Sequence, residues 1–132
     1  PKRPLMAIIG GSKISTKFTV LNNLIEKVDI MVLGGAMVYT LLLAQGLLVG
    51  KSLVETDLVD QAKAFLDRVK SLNKTLYLPV DHQVVKSFDN PSEIYFLNCS
   101  KVFSSALKLP INGKYIVPSV LIVLVLSGLS VL

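Results

Sequence analysis

The sequence predicts an α/β fold, a three-layer parallel sheet with flanking helices, from three observations. Short apolar runs end in glycine pairs at Gly10–Gly11 and Gly34–Gly35, a segment of helical spacing separates them, and a second such segment leads into a third run, TLYLPV. Strand, helix and strand in alternation give parallel strands with right-handed crossovers, which bring the strand ends to one edge. At 132 residues the chain has the length of one domain, and 52% apolar against 17% charged residues excludes a disordered chain.

The run Leu5 to Ile9, LMAII, is continuously apolar, the pattern of a strand buried on both faces of a parallel sheet. After the first glycines, Ile14, Phe18, Leu21, Ile25 and Val28 recur every three or four residues, with Thr16, Lys17, Asn22, Asn23 and Glu26 opposite, so an amphipathic helix is expected. Asp29 leads into IMVL, a second strand, which completes a βαβ unit. Ala36 to Ala44 are apolar enough for a short buried helix, and Gly46 and Gly50 punctuate the segment after it. In the longer helix beyond, Leu58, Ala62, Phe65, Leu66 and Val69 make one stripe. Glu55, Asp57 and Asp60 fall in its first turns and Arg68 and Lys70 near its end, matching the helix macrodipole. Asn73 and Lys74 close it; the third strand tolerates Pro79 only near its end or at an edge, and Asp81 and His82 then lie beyond that strand.

The net charge of +5 does not mark a nucleic-acid partner. Residues 1–96 hold eleven Lys/Arg against nine Asp/Glu, whereas residues 97–132 hold Lys101, Lys108 and Lys114 and no acid. Both signs interleave in the body and there is no tryptophan for stacking, so the expectation is no nucleic acid. A single cysteine, Cys99, excludes an intramolecular disulfide; with no export signal visible, the expected localisation is cytoplasmic, with the plastid stroma as alternative. NKT at Asn73 and NCS at Asn98 then match the glycosylation pattern by chance. His82 lacks cysteine or carboxylate partners at ligand spacing, so no metal site is expected, and Asp81 reads as a turn or cap residue.

Chemistry concentrates in GGSKISTK, Gly10 to Lys17, where the first strand turns into its helix. Glycines let backbone approach a ligand, N–H groups at a helix start attract phosphate, and Lys13 and Lys17 lie one turn apart on one face. Two ammonium groups at one anionic site suit phosphoryl transfer, which is catalysed by positioning and charge neutralisation. The segment is not a Walker A loop, since Ala7 stands where glycine is needed and Ile14 where Ser or Thr is needed, and G-x-G-x-x-G is absent. The plainer reading is that the glycines are ordinary turn residues and the lysines are solvated.

The string RPLMAIIGGSKISTKFTVLNNLIEKVDIMVLGGAMVYTLL, then VGKSL, then LYLPVD, resembles the start of the C-terminal, nucleotide-binding domain of the phosphoglycerate kinase family, from about Arg3 to about Phe96. The resemblance implies an incomplete Rossmann-like domain and a kinase that transfers phosphate between 1,3-bisphosphoglycerate and ADP, giving 3-phosphoglycerate and ATP in glycolysis. Its cofactors would be ATP/ADP with Mg2+ carried by the nucleotide. By position Gly11 and Ser12 resemble the family's backbone contacts to the nucleotide, Lys13 the catalytic lysine on the phosphoryl group in transit, and Lys17 the lysine on the nucleotide phosphates. Gly34, Gly35 and Ala36 align with the floor of the adenine pocket, Ala36 replacing the usual third glycine, and Leu53 aligns with an apolar residue on the base. The family's N-terminal domain, which holds the phosphoglycerate, is not in these residues, so phosphoglycerate would bind only if that domain is supplied, and the chain is expected to be inactive alone. The alternative is a non-catalytic fragment, nucleotide-binding or membrane-associated.

Residues 1–96 are thus read as the partial nucleotide-binding domain and 97–132 as a divergent tail, basic and then apolar. Residues 115–132 carry no charge and have the length at the lower edge of a membrane span, with the lysines on the N-terminal side as a tail anchor would place them. Pro118, Gly128 and many β-branched residues weaken a helix, which leaves an unselected extension or a strand packed on the sheet as the other readings. An open sheet of few strands further predicts poor solubility or dependence on a partner chain.

Overall fold

The computed structural model describes residues 2–85, 94–98 and 115–117. Strands β1 (Met6–Gly10), β2 (Ile30–Gly34) and β3 (Thr75–Tyr77) form a parallel sheet in the order β1-β2-β3. The register sets Ala7 beside Met31, Ile9 beside Leu33 and Leu76 beside Met31, so these side chains share one face. Helices α1 (Phe18–Lys27), α2 (Val38–Ala44) and α3 (Val59–Ser71) bury apolar residues in one cluster with that face, while Tyr39 and Leu42 of α2 form a second, smaller cluster with Val49. Leu21 and Ile25 come from α1, Val38 and Leu41 from α2, and Ala62, Phe65, Leu66 and Val69 from α3. Each large aliphatic or aromatic side chain so buried contributes about 1.5–3 kcal/mol, which makes this cluster the main source of stability. The α/β class and the helix-flanked, incomplete parallel sheet are as the sequence predicts.

β1 departs from its expected burial on both faces. Ile8 is 59% exposed, and across the register from it Val32 is buried while the next neighbour, Tyr77, is 56% exposed. The described helices cover the opposite face, so only β2, at the centre of the sheet, has apolar burial on both sides.

Polar contacts tie the sheet together at the end where its strands begin. The Asp29 carboxylate accepts from the Leu5 amide at 2.7 Å and from the Arg3 guanidinium at 2.5 Å. The Asp29 amide donates to the Leu5 carbonyl and the Asp29 carbonyl accepts from the Thr75 amide, so this residue joins the starts of all three strands. The Leu5 amide holds its carboxyl below the usual range; burial opposes this, and Arg3 and Lys74 reinforce it.

α3 matches its sequence pattern closely. A 3-10 turn over Thr56–Leu58 leads into it, Asp60 stands in its first turn, and Arg68 and Lys70 in its last. Asn73 adopts φ +52°, the Asn73 amide donates to Lys70 and the Lys74 amide to Val69, which is the Schellman closure that asparagine tolerates better than branched residues. Arg68 reaches across to α1, donating to Asn22 at 2.9 Å and pairing with Glu26.

β3 is shorter than the run TLYLPV, because it stops before Pro79, which has no N–H to donate. Asp81 and His82 are therefore not loop residues beyond a parallel strand. They open β4 (Asp81–Val85), which pairs antiparallel with β5 (Ile94–Asn98) and β6 (Tyr115–Val117) in a second sheet. His82 is buried, its ring 5.7 Å from that of Tyr39. Of the tail, Tyr115–Val117 form a strand that pairs with Val85, Val84 and Gln83 in this second sheet and not with the parallel sheet; residues 118–132, on which the other readings of the tail rest, lie outside the described residues. No helix among the described residues is long and apolar enough to cross a membrane.

Candidate functional site

The two glycine turns leave the sheet side by side, where β1 and β2 end with Gly10 and Gly34 in register. The Gly11 amide donates to the Gly34 carbonyl at 3.3 Å, and the Gly11 carbonyl accepts from the Met37 amide at 3.0 Å. Gly35 takes φ +79°, a conformation glycine reaches at no steric cost, and its α-carbon faces the Gly11 backbone directly. Residues Gly10–Lys17 and Gly34–Ala36, singled out separately in the sequence, are thus brought together by direct backbone contact.

Gly11 stands where the two turns meet. Its amide and carbonyl are both engaged within the protein, and what it supplies is a bare α-carbon over which the Lys17 stem runs, Cε lying 3.5 Å from where a methyl group would stand. Ser12 and Lys13 are exposed, and among the described residues no hydrogen bond engages their amides.

The two lysines do not stand in the first turn of a helix as the spacing predicts. α1 begins at Phe18; before it, the Lys17 and Phe18 amides both donate to the Ile14 carbonyl, so Lys13 precedes a turn and Lys17 ends it. Ile14 still enters the core fully buried, which is why it fits the helical stripe without belonging to the helix. The Thr16 hydroxyl donates to the Lys13 carbonyl at 3.1 Å and braces the turn.

Ala36 is half-buried against Tyr39, Leu42 and Val49, and Asn73 is the one positive-φ residue other than glycine among the described residues. Alanine therefore replaces the third glycine without backbone strain. Leu53 is 54% exposed, an apolar side chain presented to solvent two positions before Glu55.

Glu55 is the residue the sequence does not reveal. Its position suggests the first turns of the long helix, yet it precedes the 3-10 turn and its carboxylate reaches back to Ser15, accepting from the amide at 3.0 Å and from the hydroxyl at 2.5 Å. Burial resists its ionisation, but the Ser15 hydroxyl and amide, the Ile14 amide and the nearby Lys13 charge outweigh this and hold the carboxyl below its usual range. No local signal in the sequence joins Glu55 to Ser15, since 40 residues separate them.

A family model for phosphoglycerate kinase matches residues 1–111, most of the chain. The chain belongs to the phosphoglycerate kinase family. The match runs past Phe96, where the motifs legible in the sequence end. A phosphoglycerate kinase of Bdellovibrio bacteriovorus is 43% identical over 116 residues, 88% of this chain and 29% of that protein. One of Clostridium novyi is 53% identical over 89 residues, 67% of this chain and 22% of the relative. The solved phosphoglycerate kinase of Coxiella burnetii superposes with a TM-score of 0.75 at 36% identity, covering 88% of this chain and 28% of that structure. The chain thus spans less than a third of the length of these phosphoglycerate kinases.

Proposed function

We propose that these residues form the nucleotide-phosphate half of a phosphoglycerate kinase active site, which transfers a phosphoryl group between 1,3-bisphosphoglycerate and ADP. The observation that carries this reading is the seating of the Lys17 stem on Gly11, beside exposed Lys13, at the carboxyl ends of parallel strands where ligands of open α/β sheets gather. Lys17 would neutralise the nucleotide phosphates. Lys13, on the exposed lip of the turn, would follow the phosphoryl oxygens as charge builds on them, which is the main task of such a site. The Ser12 and Lys13 amides supply donors for the same oxygens, and Gly11 keeps the approach open.

Gly34, Gly35 and Ala36 would floor the adenine and Leu53 would pack on its face, an assignment supported by the exposure of Leu53 and the close approach of the two turns. Among the described residues no three His, Cys, Asp or Glu side chains gather to hold a cation, and Glu55, the acid beside Lys13, is engaged by Ser15. Magnesium carried by the nucleotide is part of this reading, as the resemblance to phosphoglycerate kinases implies. It would supply charge neutralisation between phosphates, while the residues of this chain bind and orient them.

The 116 residues that match the Bdellovibrio relative are 29% of its length, so this chain is proposed to bind nucleotide without turning over alone. Calorimetric titration with Mg-ADP, alongside a Lys13→Ala, Lys17→Ala double variant, tests the site. Binding by the chain and its loss in the variant are expected. Equal binding by both overturns the phosphate assignment, and ATP formation by the purified chain overturns the claim of inactivity.

A further inference from the structure

The Glu55 carboxylate grips the turn between Lys13 and Lys17 from a separate part of the chain, and its own backbone is fixed in turn. Its amide donates at 3.1 Å to the hydroxyl of Thr40, a buried residue of α2. α2 issues directly from the Gly35 turn, so one residue links the lysine turn to the helix that leaves the second glycine turn. The two carboxylate oxygens divide between the Ser15 amide and hydroxyl, with the Ile14 amide and the Lys13 charge as further attractions.

We propose that Glu55 is a positioning residue for the phosphate-binding turn. This rests on the nucleotide reading above. The Ser15 amide is a donor that an unoccupied turn would offer to an anion, and the Glu55 carboxylate fills it and takes the Ser15 hydroxyl as well. An incoming phosphate is then left the Ser12 and Lys13 amides and the lysine ammonium groups, so Glu55 steers the anion toward Lys13 and keeps it off Ser15. A flexible turn that must be ordered by its ligand binds more weakly than one already held, and the hold on Ser15 is that advance ordering.

The test is amide NMR titration of the chain and of Glu55→Ala, Glu55→Gln and Ser15→Ala with Mg-ADP and, separately, with adenosine. Glu55→Ala is expected to weaken Mg-ADP about three- to tenfold, the size of one or two exposed hydrogen bonds, and to leave adenosine unchanged. Glu55→Gln keeps an acceptor for Ser15 and is expected to recover most of the loss. Unchanged Mg-ADP affinity in Glu55→Ala, or parallel weakening of both ligands, overturns the proposal, the second outcome marking general structural loss. If Glu55→Ala does not fold, Ser15→Ala removes the hydroxyl contact alone and is judged by the same two readings. Absence of Mg-ADP binding by the unaltered chain instead overturns the nucleotide reading itself, and this inference falls with it.

Discussion

A methyl group added to Gly35 would stand 2.3 Å from the Gly11 carbonyl oxygen and 2.8 Å from the Gly11 nitrogen. Both are backbone atoms held by hydrogen bonds to Gly34 and Met37, so neither can move aside alone. Gly35→Ala is therefore expected to cost about 1–2 kcal/mol for the left-handed conformation and about 1–3 kcal/mol more for the collision. Gly10→Ala meets nothing closer than the Gly34 oxygen at 4.0 Å and is expected to stay within about 0.5 kcal/mol of the parent. Urea denaturation of both variants checks the contrast; equal stability would show that the turns are not in contact.

The Asp29 carboxylate makes stability depend on pH in a definite direction. Its pKa is lowered in the folded chain, so its contribution is complete above about pH 5 and is lost as the pH falls through the folded value. Glu55 shifts the same way and adds to the trend. Asp29→Asn is expected to be less stable than the parent at neutral pH, and the difference is expected to shrink as the pH falls through and below the ordinary carboxylate range. Denaturation midpoints across that range decide, and a constant difference at all pH values would rule out the charge as the cause.

At the end of α3, Asn73→Val places a branched side chain at φ +52° and is expected to cost about 1–2 kcal/mol, whereas Asn73→Gly should be neutral within about 0.5 kcal/mol. Thermal melting distinguishes them. Similar melting of the two variants would mean that the closure of α3 does not require the left-handed residue.

Ile8 and Tyr77 flank Val32 on the face of the parallel sheet that the described helices leave uncovered, and exposed apolar groups of this kind drive association. An Ile8→Lys, Tyr77→Lys double variant is expected to lower the concentration dependence of the sedimentation coefficient without loss of helix content. An unchanged dependence would place the sticky surface elsewhere.

α3 is legible from its stripe and its charge order, because everything that fixes it lies within the helix and the residues that close it. The glycine turns are legible as turns, though not as one unit, since contact between Gly11 and Gly35 depends on strand register. The apolar run of β1 overstates its burial, because five apolar residues in a row do not say which face will find a partner. The spacing of Lys13 and Lys17 suggests one helical turn, yet the helix starts only at Phe18, a boundary that the buried side chain of Ile14 obscures in the pattern. Asp81 reads as a loop residue because the change from parallel to antiparallel pairing beyond Pro79 has no local mark. Glu55 carries a plausible local role at a helix start, and that role conceals its partner across 40 residues.

The backbone bonds between the two glycine turns also bear on how a ligand with two unlike ends would bind. The Gly11 amide and carbonyl bind the second turn before any ligand arrives, so a ligand that reaches both turns meets a spacing between them that the backbone has set in advance. The two turns act as a fixed gauge, which favours ligands whose ends match that spacing and disfavours shorter or longer ones.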